Sequence, residues 1–220
     1  MTDAQAWAED AERKLLDEAL RLAPAEGWTR LMVKRAGRVL GLTPGEVELI
    51  LPNGPADLAA LLSRRHDERA LALLAEVDPQ GLKIRERIRR ACEARIDAAT
   101  ADEAAFRRWL GWLSLPQNLA LGARLAWASA DVLWRWAGDT ATDENHYSKR
   151  AILAGVLTGA YAIRISSGRQ AALAFVDRRI DNVMAYEKWK ATGGFRPSVW
   201  MAAAAHALGR ARYGARQSPE

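Results

Sequence analysis

"RLMVKRAGRVLGLTPGEVELIL", residues 30–51, decides the fold. Its first part is a short helix carrying a basic cluster, Arg30, Lys34, Arg35 and Arg38, and Gly41 stops it. Thr43 can cap the next helix, with Pro44 at the first helical position and Glu46 completing a capping box at the third. A longer helix precedes both, with Leu15, Leu16, Ala19, Leu20 and Ala23 on one face. Pro24 and Gly27 are expected to end it. One longer helix and two short ones across a tight glycine turn make a helix-turn-helix-like head.

Working outward, the 220 residues suit one sizeable domain, alone or with a small appendage. Ala, Leu and Arg dominate and β-branched runs are scarce, so the class is all-α. Cys92 is the single cysteine, which excludes a disulfide framework and suits a reducing cytoplasm. The acidic opening "MTDAQAWAED" carries no expected targeting segment. The longest apolar run, 151–163, falls short of the roughly 20 residues of a membrane span.

"LPNGP" separates the head from a bundle. Helices are expected over Ala56–Val77, Leu82–Ala98, Ala104–Trp112, Gln117–Trp136, Asn145–Ile165 and Gln170–Lys190. Three regions result: a head over 1–52, a ligand-binding and dimerisation bundle over 53–190, and a flexible linker with an amphipathic helix over 191–220. In that last helix Trp200, Met201, Ala204 and Leu208 share a face opposite basic residues. It suits either a membrane interface or a cap folded onto the bundle.

The head is similar to the amino-terminal region of TetR-type regulators through the spacing of Ala19, Leu20, Gly27, Ala36 and Gly41. That resemblance implies a TetR-like fold with the third helix in a DNA major groove, and hence a ligand-responsive transcriptional regulator. The residues argue otherwise. The third helix offers Glu46 and Glu48 amid Val47, Leu49, Ile50 and Leu51, where base edges and phosphates call for cations and amides. Residues 1–52 hold seven Lys and Arg against nine Asp and Glu, a net of −2, although the whole chain is +5. No nucleic-acid partner is expected.

No catalytic constellation, phosphate loop or metal motif appears. Asp143 and His146 have the spacing of only half a di-iron site. Gly155 and Gly159 inside a helix cost about 1 kcal/mol each relative to alanine. They suit either close helix packing, as at a dimer interface, or room for a long apolar ligand. Apolar helix faces offer Trp127, Trp134, Val156, Tyr161 and Phe175 as the lining of such a lipid pocket.

"LWRWAGDTATDENHYSKRAILAGV", "LRLAPAEGWT", "GLTPGEVELILPNGPADL" and "LSLPQNLALG" together resemble the lipid-binding CoQ-nine family of ubiquinone-biosynthesis accessory proteins. The resemblance spans nearly the whole chain. It implies a non-catalytic homodimer with no cofactor of its own, holding a lipid or isoprenoid quinone intermediate. It implies presentation of that intermediate to the di-iron demethoxyubiquinone hydroxylase. A terminal helix would touch membrane lipids, at the inner face of a bacterial inner membrane. The family's partner-docking patch maps to Leu133, Trp136, Asp139, Asp143, His146 and Tyr147. Eukaryotic members carry an aromatic where His146 stands, and imidazole is smaller and titratable. Gly138, Thr142, Asp143 and Glu144 at that corner also suit ordinary helix termination and capping.

Overall fold

The structure, a computed structural model, describes the backbone of residues 3–139 and 144–191 and the side chains of 5–139 and 146–185. Thr142, Asp143, the Gly193–Gly194 linker and the tail residues Trp200, Met201, Ala204 and Leu208 lie outside the described residues.

Among the described residues the fold is all-helical. The first helix, α1 (Asp3–Glu26), buries Ala11, Leu15, Leu16, Ala19 and Ala23. Pro24 lies inside its last turn and does not end it. A proline there removes one hydrogen bond while its φ remains helical. The stop is Gly27, at φ +73°, whose amide donates to the Ala23 carbonyl at 2.9 Å.

Two short helices follow, α2 (Arg30–Val39) and α3 (Pro44–Ile50). Thr29 caps α2 by accepting from the Met32 amide at 3.1 Å. The expected Thr43–Glu46 capping box is formed on α3. The two helices meet where Val47 enters the space left by Gly37. A Cβ on residue 37 would stand 2.3 Å from Val47 Cγ2. Gly37→Ala should therefore destabilise the protein by about 1–3 kcal/mol of overpacking, despite the better helix propensity of alanine. Thermal unfolding checks this, and a variant melting at or above the parent temperature refutes the close-packing argument.

The bundle comprises α4 (Pro55–Leu73), α5 (Ile84–Ala99), α6 (Glu103–Leu113), α7 (Leu119–Trp136), α8 (Glu144–Ser167) and α9 (Arg169–Ala191). α4 stops short of the expected Val77, and turns carry the chain through 74–77. Gln117 and Asn118 do not open α7. They belong to a single 3₁₀ turn, Pro116–Asn118, in which Asn118 Nδ2 donates to the Trp112 carbonyl at 2.8 Å. Gly138, at φ +87°, closes α7 in the left-handed conformation expected of it.

α7 packs most extensively on α8, and α4 on α5. Their shared core contains Leu58, Leu62, Cys92, Ile96, Leu133 and Leu157. Burial pushes the Cys92 thiol up to about 12, so it is an inert core group. α1 packs on α4 and α6, which places the head and the bundle in one compact unit ending at Asp177. A second unit begins at Arg178, within α9.

Candidate functional site

α4 and α5 bring an arginine into the interior. Arg95 is 1% exposed, on a face of α5 otherwise made of Ile88, Ala91, Cys92, Ala98 and Ala99. A lone buried guanidinium would be prohibitively unstable, and here it is paired. Its Nε donates to Asp67 Oδ1 at 2.6 Å and its Nη2 to Ser129 Oγ at 3.1 Å. Longer contacts of 3.4 Å run from Nη2 to the carbonyl and hydroxyl of Ser63. The guanidinium carbon stands 5.7 Å from the centre of the Tyr161 ring. Two polar atoms of this cluster, Arg95 Nη1 and Tyr161 OH, are buried without a hydrogen-bond partner. Burial pushes the Tyr161 phenol up to about 12.

His66 backs the cluster, edge-on to Trp109 at 5.7 Å and to Phe106 at 6.2 Å. Burial, with the charges of Arg95, Arg69 and Arg65, holds its pKa well below the usual imidazole range. His66 is therefore neutral near pH 7.

Arg95, Tyr161, Ser63 and Ser129 line a cavity of about 270 Å³. Its remaining walls are mostly apolar. α6 gives Trp109, Leu110 and Leu113, and α7 gives Leu119, Gly122, Ala123, Leu125 and Ala126. An apolar chamber with a few converging polar groups is the usual form of a small-molecule site. No group of three His, Cys, Asp or Glu among the described residues could hold a metal ion.

Of the residues expected to line a lipid pocket, only Tyr161 borders this cavity. Trp127 leans against Tyr147, with ring centres 6.2 Å apart. Trp134 donates its indole N–H to the Lys149 carbonyl at 3.1 Å. Val156 is core, and Phe175 covers Gly159, its ring 2.8 Å from where a Cβ would stand. An apolar face shows that a residue is buried, not against what, so periodicity by itself did not select this cavity's lining. Sequence reasoning missed Arg95, although a cation placed among small apolar residues at helical spacing was a usable signal.

The α7–α8 corner is held by a second ionic cluster. Arg150, 1% exposed, donates to Asp131 at 2.5 Å, to Asp139 at 3.0 Å and to the His146 carbonyl at 3.2 Å. Lys149 completes the Asp139 pairing at 2.7 Å. Burial alone would raise the Asp131 and Asp139 pKa values. Hydrogen bonds from Arg150, with Arg135 on Asp131 and Lys149 on Asp139, outweigh it and hold both below the ordinary 3.8. Arg87 fastens the end of α7 by donating to the Ala137 carbonyl at 2.8 Å.

The expected docking patch is only partly a surface. Leu133 is fully buried and faces the core, so it cannot meet a partner. The Asp139 side chain is 7% exposed and engaged by two cations. Trp136 and His146 are half-buried and Tyr147 is 64% exposed, with the His146 and Tyr147 rings 5.2 Å apart. Asp143 lies outside the described residues. The aromatic face of the corner is thus built by Trp127, His146 and Tyr147, on a charge network that fixes it from behind.

The sequence model of the COQ9 family matches residues 119–187, from the cavity wall through the corner and along α8 into α9. The mitochondrial ubiquinone biosynthesis protein COQ9 of Rattus norvegicus is 28% identical over 187 residues, 80% of this chain and 59% of the rat protein. The Bos taurus protein of that name is 29% identical over 156 residues, 67% of this chain and 48% of its own length. The Homo sapiens protein is 26% identical over 156 residues, with the same coverage. The chain thus spans about half to three-fifths of these relatives. Over residues 119–187 the chain is thus similar to the COQ9 family, and over two thirds or more of its length to the mitochondrial proteins of that name.

Proposed function

We propose that this protein is a non-catalytic accessory protein of ubiquinone biosynthesis, which holds a lipid and presents a quinone intermediate to the demethoxyubiquinone hydroxylase. The relatives are named for that pathway. The observation that carries the reading is the mostly apolar cavity, lined in part by Arg95 and Tyr161, two residues whose Nη1 and OH are buried without a hydrogen-bond partner. Oxygens on the ring of a quinone intermediate are acceptors of the kind those donors lack. The cavity, at about 270 Å³, lies just under the ~300–1,000 Å³ range of ligand pockets. It would take the head and a short length of tail, and a longer isoprenoid tail would leave between α6 and α7.

The hydroxylase would land on the corner formed by Trp136, His146 and Tyr147, which the Arg150 cluster holds rigid. Homodimerisation would use the outward stripe of α8, where Ala151, Ile152, Gly155 and Ala162 are exposed. Among the described residues no helix is long and apolar enough to cross a membrane, so contact with membrane lipids would be peripheral. A repressor reading fares worse, since α3 turns Glu48 and a 75% exposed Leu49 outward.

Mass spectrometry of organic extracts of the purified protein should find a bound isoprenoid or quinone. A strain lacking the protein should accumulate the demethoxy intermediate. Lipid-free protein together with a normal ubiquinone profile in that strain rejects the proposal.

A further inference from the structure

We infer that the outward face of α2 is a docking surface for the headgroup region of an anionic lipid membrane. Two parallel rows run along this helix at i, i+4, i+8 spacing. One is Arg30, Lys34 and Arg38. The other is Leu31, Arg35 and Val39. All six residues are exposed, with Leu31 at 65% and Val39 at 57%, while Met32, Val33, Ala36 and Gly37 turn inward. Cations beside outward apolar groups form the pattern of a segment lying in a membrane interface.

The charges on α2 differ from those elsewhere in the chain. On α4 and α6 they are balanced: Arg64 faces Glu12, Arg65 faces Asp17, Arg69 faces Asp102 and Arg107 faces Glu103. Among the described residues α2 is the one α-helix without an acid, and its Arg30, Lys34 and Arg38 make no ion pair. Only Arg35 is matched, by Glu26 at 2.5 Å. A solvated helix face gains from mixed signs, whereas a single-sign row beside exposed leucine and valine favours an anionic, partly apolar surface.

Duplex DNA is the less favoured occupant. α3, the helix that would have to enter the groove, exposes Glu48 and Leu49. A carboxylate repels phosphate at a fixed groove contact, and leucine gains nothing there. The surface is independent of the cavity, so it stands or falls apart from the proposed function.

The test is co-sedimentation of the full chain with phosphatidylcholine vesicles, with and without phosphatidylglycerol. Phosphatidylglycerol should strengthen binding, and salt should weaken it. Each basic residue contributes roughly fivefold to such binding, so Lys34→Glu with Arg38→Glu should lower partitioning onto the anionic vesicles at least about tenfold. Binding to the neutral vesicles should stay the same. Lys34→Gln with Arg38→Gln, which only neutralises, should give a smaller loss. These side chains are exposed, so melting temperatures should not move. An undiminished preference for phosphatidylglycerol in the charge-reversed variant overturns the inference. So does a loss confined to duplex DNA binding in gel shifts.

Discussion

Arg150→Ala should be among the most destabilising single substitutions in the chain, at about 3–5 kcal/mol. The guanidinium is almost wholly buried and serves two carboxylates, Asp131 and Asp139, plus the carbonyl of His146. Truncation leaves Asp139, 7% exposed, still paired with Lys149. That remaining pairing points to the lower part of the range. The pH dependence follows from the sign of the carboxylate shifts. Both folded-state pKa values lie below the ordinary 3.8, so their stabilisation is fully present above that value. It is lost as pH falls through the lowered values. Without Arg150, Asp139 keeps only Lys149 and titrates higher than in the parent, so its protonation relieves a charge that is now less well compensated. The gap between parent and variant should accordingly be widest near neutral pH and close below about pH 4. Thermal melts across that range measure it. A loss under about 1 kcal/mol, or one that does not change with pH, would show that the cluster is an ordinary surface pairing.

Much of the architecture was legible because local chemistry and tertiary packing agree. Thr43, Pro44 and Glu46 specify a helix start by hydrogen bonding alone, and the capping box is present. Gly41 and Gly138 each take a positive φ that other residues avoid, so the stops they mark are where the chain stops. Pro24 misled because proline disfavours a helix without forbidding it: its ring gives up a bond to the Leu20 carbonyl and crowds it, yet α1 runs on to Glu26 before Gly27 turns the chain. The site was harder to read. Sequence periodicity gives the angle of a residue about its own helix axis, and it gives nothing about the neighbour that angle meets. Leu133 shares α7 with residues of the corner yet turns inward, and Trp134 is tied to the backbone of α8. Arg95 shows the converse: its pairing partners Asp67 and Ser129 lie 28 and 34 residues away. No local pattern could assemble that cluster.

The Arg95–Asp67 pair allows the structural and ligand-binding roles of the cavity to be separated. Arg95→Leu should cost about 3–5 kcal/mol, because Asp67 is left buried with its charge uncompensated. Removing both charges, with Asp67→Leu added, should recover most of that loss. Well-packed apolar residues often replace a buried ion pair at no cost. The ligand side should not recover. If Arg95 Nη1 donates to an oxygen of the bound lipid, the double variant should fold and still purify with its cavity empty of quinone or isoprenoid. Tyr161→Phe supplies the complementary measurement. It keeps the ring against Phe106, 5.4 Å away, and removes a buried hydroxyl that has no partner. The free protein should therefore be equally stable or more stable by about 1 kcal/mol, since an unsatisfied buried hydroxyl is destabilising. Lipid retention should nevertheless fall. A stable Tyr161→Phe protein with undiminished bound lipid, together with a double variant that also keeps its lipid, would assign these polar groups to packing alone.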